Sequence, residues 1–385
     1  MSCAAEKLAD LLALGQSLWL DDIDRGMFAS GDLRRMIVDL GVRGLTSNPA
    51  IFDAALRDTE LYDSQVASLA SKGLSAEEIL ERVMVDDVVE AAEAFLGLYK
   101  ESGGRDGFVS IEISPLLASD YEKTVEEALR YNRLLGRPNV MIKIPATPEG
   151  VRAMGTLLEE GVNVNATLLF SADDYLSVAR AYIEALEKRR SKGLPIDSVS
   201  SVASFFVSRA DSVVDKYLTE IINESRESAS SRVELSQFLL GKFAVANASV
   251  AYGHFLDLFS SDTFKSLKAE GASVQRLLWA STSTKNPAYS DVKYVEELIA
   301  TSTVNTLPHK TLMAFLDHGT AKLAIGASVE DASGTLASSR EVFSQFSELG
   351  LDIKRILKLL QVDGLKSFSD SYQALLERVG GKRVP

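Results

Sequence analysis

Eight short runs rich in β-forming residues, each followed by a stretch of helical periodicity, constrain the fold of this 385-residue chain most. The runs are Ser17–Ile23, Val42–Ser47, Phe108–Ile113, Val140–Ile144, Val162–Leu169, Ser200–Phe206, Arg276–Ala280 and Thr301–Thr306. Gly150–Glu160 and Asp291–Ala300 are examples of the helical stretches between them. Regular β-then-α alternation calls for parallel strands, and eight repeats close into an α/β (β/α)₈ barrel. The competing arrangement is a doubly wound open sheet. It would be supported by a G-x-G-x-x-G or Walker-type glycine pattern, and the chain has neither. Val233–Phe259 reads as one or two helices, and the Ser-rich stretch Asn223–Ser231 as a solvated loop or helix end. Residues 320–380 carry no strong strand signal and read as about three amphipathic helices. The expectation is one domain over 1–385, with 320–385 as a helical extension packed on the barrel or shielding one mouth.

Successive strand residues point to opposite faces. Val109, Ile111 and Ile113 therefore share one face, with Ser110, Glu112 and Ser114 on the other. The same alternation separates Val140, Ile142 and Ile144 from Met141 and Lys143, and Val164, Ala166 and Leu168 from Asn163, Asn165 and Thr167. In the first run Leu18 and Leu20 oppose Ser17, Trp19 and Asp21. Parallel strands covered by helices have no wet outer face, so these polar groups must meet inside the barrel. A lumen holding Asp21, Glu112, Lys143, Asn165 and Thr167 is a reaction site rather than a packed plug. Most of them fall near strand C-terminal ends, where barrel active sites form.

Lys143 is the only charge in the stretch PNVMIKIPATP. A buried ammonium is costly unless it is paired or its pKa is lowered, and an amine of lowered pKa can attack a carbonyl to form an imine. Carboxylates, amides and hydroxyls around such a lysine suit C–C cleavage or formation through an iminium electron sink. The three histidines, His254, His309 and His318, lie far apart and there is one cysteine, Cys3, so no metal-site spacing is visible. No metal or other cofactor is expected.

The bulk figures narrow the partners. Hydrophobic residues make up 46% and charged residues 25%, which fits a soluble protein with ample core. A net charge of −13 argues against general binding to nucleic acid or anionic membranes, so a phosphorylated substrate needs local cations. The lone cysteine excludes an internal disulfide and suggests a reducing compartment. No apolar run reaches transmembrane length, and MSCAAEKLADLLALG lacks the layout of a secretory signal. A cytoplasmic location is expected, with a plastid stroma as the alternative. Apolar stripes on outer helices would suit either a partner subunit or the tail.

SLWLDDIDR, GLTSNPAIF, VSIEISP, VMIKIPAT, NVNATLLFS and SVASFFVSR resemble, in order, the strand motifs of the transaldolase family. The agreement runs from about residue 15 to 310, and the helical tail resembles that of the longer family members. This resemblance implies a barrel of the class I aldolase type. It also implies transfer of a dihydroxyacetone unit from fructose 6-phosphate or sedoheptulose 7-phosphate to an aldose phosphate, in the non-oxidative pentose phosphate pathway. By motif, Lys143 is the Schiff-base lysine and Asp21 the acid/base, while Glu112 and Thr167 position the catalytic water. Asp22 is the neighbouring alternative, expected to point outward or cap a turn. Asn48, Asn165 and Ser204 resemble the residues that hold the dihydroxyacetone hydroxyls, and Asn48 also reads as an Asn-Pro turn.

Arg209 resembles the family's phosphate arginine and Ser281 its phosphate-contacting serine. Many members carry a second arginine two positions after that serine. Here that position is Ser283, and Lys285 is expected to substitute as a point charge without the arginine fork. The tail is expected to cover this phosphate end. A related aldolase that releases free dihydroxyacetone would use the same lysine, but Glu112 favours the transferase.

Overall fold

All eight β-type runs become strands. They are β1 (Gln16–Asp21), β2 (Gly44–Thr46), β3 (Phe108–Glu112), β4 (Val140–Pro145), β5 (Val164–Leu169), β6 (Ser201–Phe206), β7 (Arg276–Ala280) and β8 (Thr303–Leu307). Each pairs in parallel with its successor, and β8 pairs with β1, so the barrel closes. The computed structural model describes residues 3–224 and 230–382, the side chains of 3–5 and 382 excepted. Part of the Ser-rich stretch, residues 225–229, and the side chain of Cys3 therefore lie outside the described residues.

Closure makes the parity of each strand decisive. Val109, Ile111, Val140, Ile142, Val164 and Ala166 are buried against the helical layer. The opposite parity fills the lumen in layers. At the N-terminal mouth Arg276 donates to Ser17 Oγ at 2.8 Å and pairs with Asp106 at 3.0 Å, with Arg43 on the other Asp106 oxygen at 3.2 Å. Trp19 lies above this knot, the Arg276 guanidinium 5.9 Å from its ring centroid. A Cβ at Gly44 would stand 2.6 Å from the Trp19 ring, so only glycine lets β2 pass the indole. That end is sealed by packed and paired side chains, which leaves the C-terminal mouth for chemistry.

Helices begin where local capping allows. Ser171 forms a capping box with Asp174 ahead of the helix Ala172–Ser191, and Thr147 caps Pro148–Glu159, close to the expected 150–160. Val233–Phe259 resolves into Ser231–Leu239 and Phe243–Phe259. The expected helix over 291–300 shrinks to Lys293–Glu296, because tertiary donors take its last carbonyls. Trp279 Nε1 and Gln16 Nε2 both donate to Leu298 O at 2.8 Å, and the Ala324 amide donates to Ile299 O.

Beyond the barrel two long helices replace the expected three, Val329–Glu348 and Ile353–Lys382. No proline interrupts 353–382, and its buried stripe (Ile353, Ile356, Leu357, Leu360, Phe368, Leu375, Val379) runs its whole length. The first helix packs on Phe243–Phe259, with Phe343 and Phe346 5.4 and 5.3 Å from the Phe243 ring. The second crosses the C-terminal mouth of the barrel and is tied to the helix Pro49–Asp58 by Arg378 on Asp53 at 2.7 Å. Among the described residues no helix is long and apolar enough to cross a membrane.

Candidate active site

At the C-terminal mouth a cavity of about 650 Å³ is lined by Asp21, Thr46, Asn48, Lys143, Ser204, Arg209, Ser281 and Lys285, among others. Its floor follows from strand register. Glu112 lies beside Lys143, and Lys143 beside Asn165, so β3, β4 and β5 present their polar faces at one height. Lys143 Nζ is buried, 3.5 Å from Glu112 Oε2, and donates to Ser47 O at 3.2 Å. Asp21 ends β1 and accepts from Thr46 Oγ1 at 2.7 Å. Thr306 Oγ1 lies 2.7 Å from that same hydroxyl, so with Asp21 ionised Thr306 is the donor to Thr46.

The electrostatics concentrate protons here. Burial raises the Asp21 carboxyl above its ordinary value, against the lowering effects of Lys143 and the Thr46 hydroxyl. Burial likewise raises Glu112 to about 7, with Lys143 opposing and Asp21 adding to the shift. Asp22 rises to about 6 through burial and the nearby charges of Asp24 and Asp21. Glu112 and Asp21 share the Lys143 amine and act on each other, so their titrations are coupled. The expectation that Asp22 points outward is corrected: it lines the cavity, while Asp24 caps the next helix through Met27 N.

Glu112, Thr167 and Asn165 lie beneath the cavity surface rather than on it. The Glu112 oxygens and Thr167 Oγ1 are buried without a hydrogen-bond partner in the protein, the 3.5 Å contact with Lys143 being too long to count as one. Asn165 is engaged at both ends. Its Nδ2 donates to Ser110 Oγ at 3.0 Å, and its Oδ1 accepts from Ser204 Oγ at 2.7 Å. Asn48 caps Pro49–Asp58, its Oδ1 accepting from Ala50 N and Ile51 N at 3.0 and 3.1 Å. Only its Nδ2 remains for a ligand, so the turn reading and the ligand reading divide one amide between them.

The cations stand at one side of the cavity. Arg209 opens the helix Ser208–Glu224 after β6, half-buried, its guanidinium 5.6 Å from the Phe206 ring centroid. Among the described residues neither Arg209 nor the exposed Lys285 has a carboxylate partner. Ser281 holds a left-handed backbone (φ 54°) and places its hydroxyl 3.2 Å from that of Ser208. Ser283, where the family arginine was expected, bonds Thr311 at 2.9 Å. The loop carrying these residues is fastened to the helix of Arg209 by two tyrosines. Tyr289 donates to Asp215, and Tyr294 to Asp211, each at 2.7 Å.

The cavity wall includes two residues that the sequence expectations do not name, Thr46 and Phe368. Thr46 was within reach, since it shares the lumen parity of Gly44 in GLTSNPAIF. Phe368 was not, because it comes from the tail. Its ring centroid lies 5.6 Å from Lys143 Nζ and 6.4 Å from Phe206, and Ser367 and Ser371 flank it on the cavity wall. The tail thus covers the lysine as well as the cavity rim, and is not confined to the cationic end. Among the described residues no group of three or more His, Cys, Asp or Glu side chains is arranged to hold a metal ion.

A buried amine beside the Glu112 and Asp21 carboxyls, below a pocket whose Arg209 and Lys285 have no carboxylate partner among the described residues, is equipped for imine chemistry on an anionic carbonyl compound. A family model described as transaldolase/fructose-6-phosphate aldolase matches residues 18–379. A transaldolase of Trichodesmium erythraeum is 42% identical over 376 residues, covering 97% of each chain. Transaldolases of Mycolicibacterium smegmatis and Mycobacterium tuberculosis are 43% and 42% identical over 375 and 378 residues. They cover 97% and 98% of this chain and 97% of the relative in each case.

Proposed function

Since the chain belongs to the transaldolase/fructose-6-phosphate aldolase family, we infer that it is a transaldolase, a transferase that moves a dihydroxyacetone unit between sugar phosphates. The observation that carries this reading is Lys143 Nζ, buried 3.5 Å from Glu112 at the base of a cavity it shares with Asp21.

The residue roles follow from chemistry. A ketose phosphate enters with its phosphate toward Arg209, Ser281 and Lys285 and its carbonyl toward Lys143. The neutral amine adds to the carbonyl carbon, and the carbinolamine loses its hydroxyl as water when Glu112 donates a proton, relayed through a water that Glu112 and Thr167 hold. Buried polar atoms without protein partners are where ordered water is found, which supports that role. Asp21 then removes the proton of the C4 hydroxyl. The C3–C4 bond breaks, its electrons pass into the iminium, and the aldose phosphate leaves. The enamine that remains attacks the aldehyde of the acceptor, Asp21 returns the proton, and water releases the product from Lys143. Asn48 Nδ2 and Ser204 are in reach to orient the hydroxyls of the bound three-carbon unit.

Two arms of one assay separate this reading from an aldolase. Fructose 6-phosphate is supplied with and without erythrose 4-phosphate, and free dihydroxyacetone is measured alongside sedoheptulose 7-phosphate. Sustained turnover that depends on the aldose phosphate is expected; equal release of dihydroxyacetone in both arms would refute the transferase.

The phosphate anchors are expected to be unequal. Removing a partly buried guanidinium loses a charge-assisted contact worth about 2–3 kcal/mol, so Arg209→Ala raises KM for phosphorylated sugars by about 30- to 150-fold. Lys285 is exposed and screened, so Lys285→Ala raises KM only by about 2- to 5-fold. Steady-state kinetics on both variants check the ranking, and equal effects would remove Arg209 from the leading role.

The pH profile carries a second test. Glu112 must be protonated to expel the carbinolamine hydroxyl, and its carboxyl titrates at about 7, so the protonated fraction falls as pH rises through that value. Asp21 must be ionised, which sets an acid limb through its raised pKa. In kcat/KM for the donor, Glu112→Gln is expected to remove the descending limb near pH 7 and leave the acid limb. A limb that survives the substitution would assign it elsewhere.

A further inference from the structure

We propose that Gln361, on the helix that crosses the barrel mouth, is a positioning residue that holds Thr167 in its working orientation. The proposal rests on the transaldolase reading for what Thr167 does.

The reason for such a device lies in β5. Between Ala166 and Leu169 its register with β6 slips, so Thr167 and Leu168 have no ladder partners on that side. Bulges of this kind re-aim a side chain beside an active site. Leu168 sits in the left-handed region at φ 60°, which a leucine adopts only when its surroundings over-determine it. Part of that constraint comes from outside β5.

The helix Ile353–Lys382 supplies it from outside. Gln361 is buried, and its Nε2 donates to Leu168 O at 3.3 Å and to Ala146 O at 3.0 Å. The Ala146 amide in turn donates to Thr167 O at 2.8 Å. One side-chain amide thus bridges the ends of β4 and β5, the strands that carry Lys143 and Thr167. Its orientation is set, because Lys358 Nζ donates to the other end, Oε1, at 2.9 Å. Both carbonyls need a donor, so neither an apolar side chain nor an ionised carboxylate can replace the amide. Gly364, on the same helical face, rests on this corner; a Cβ there would lie 3.1 Å from the Leu168 side chain and 3.3 Å from Phe170. Phe368, one turn further, reaches Lys143.

The test uses the full chain with Gln361→Met, which keeps length but donates nothing, and Gln361→Glu, which keeps the shape. Steady-state kinetics with fructose 6-phosphate and erythrose 4-phosphate are combined with borohydride trapping of the Lys143 adduct over time. For Gln361→Met, kcat is expected to fall about tenfold or more, with slower adduct formation and KM for both sugars within about twofold, because a small displacement of a catalytic group costs rate rather than binding. For Gln361→Glu, kcat relative to wild type is expected to decline as pH rises, since the neutral acid donates one hydrogen bond and the carboxylate repels both carbonyls. Wild-type kcat in both variants, or a loss carried by KM, overturns the proposal. If Gln361→Met does not fold, Gln361→Glu decides, and wild-type kcat at the alkaline end of its pH profile, where the carboxyl is ionised, overturns the proposal. Absence of an adduct in the wild-type protein would instead count against the transaldolase reading.

Discussion

Lys143→Arg is expected to abolish transfer, with a fall on the order of 10⁶-fold, as when a covalent nucleophile is removed from an enzyme. Arginine is the informative replacement because it separates charge from nucleophilicity. Its guanidinium keeps a cation next to Glu112, whose carboxyl would otherwise lose its ion-pair partner among the described residues. Breaking a buried pair by deleting one partner costs about 3–5 kcal/mol, so a methionine at this position would confound chemistry with folding. A guanidinium does not deprotonate within the working pH range and forms no imine. Reduction with borohydride in the presence of fructose 6-phosphate, followed by mass analysis of the intact chain, reads the result directly. The wild-type chain is expected to gain a reduced adduct at Lys143 and the variant none. An adduct on the variant would place the nucleophile at another lysine and dismantle the assignment.

Asp21→Asn is expected to lower kcat by about 10²- to 10⁴-fold, the usual contribution of a general acid–base group. The substitution preserves the local frame, since the asparagine Oδ1 still accepts from Thr46, which Thr306 supports from behind. What it removes is the base for the hydroxyl proton. Imine formation depends on Lys143 and Glu112 and is expected to continue. The variant should therefore accumulate, on trapping, an adduct with the mass of the whole ketose phosphate rather than of the three-carbon unit. A three-carbon adduct formed at the wild-type rate would transfer the role to Asp22, which lines the same cavity and whose carboxyl is raised to about 6.

Most of the lumen is legible in the linear chain, for a geometric reason. In a closed parallel barrel each strand has only two faces, and period two assigns every residue to one of them. The lumen positions of Asp21, Glu112, Lys143 and Thr167 follow from that rule alone, and the eight runs match the eight strands to within two residues at every end. The places where the reading fell short share a different cause. The helix over 291–300 was shortened by Trp279 and Gln16, donors from distant parts of the chain. The tail became two helices rather than three because its breaks are set by what it packs on. The turn at Asn48 is legible locally, but that its Oδ1 is taken by the helix cap and only Nδ2 stays free is visible only against the cavity. Asp22 was misplaced because strand alternation stops at the end of β1.

Which residues form strands, and the face each polar residue takes within a strand, are legible in the linear chain, because alternation acts between adjacent residues. The height at which Glu112 meets Lys143, the rise of its carboxyl to about 7, the left-handed Leu168 and the cover supplied by Gln361 and Phe368 were decided only by tertiary structure. Burial, register across strands and contacts between residues more than two hundred positions apart have no local signature, and they exist only once the barrel has closed and the last helix lies across it.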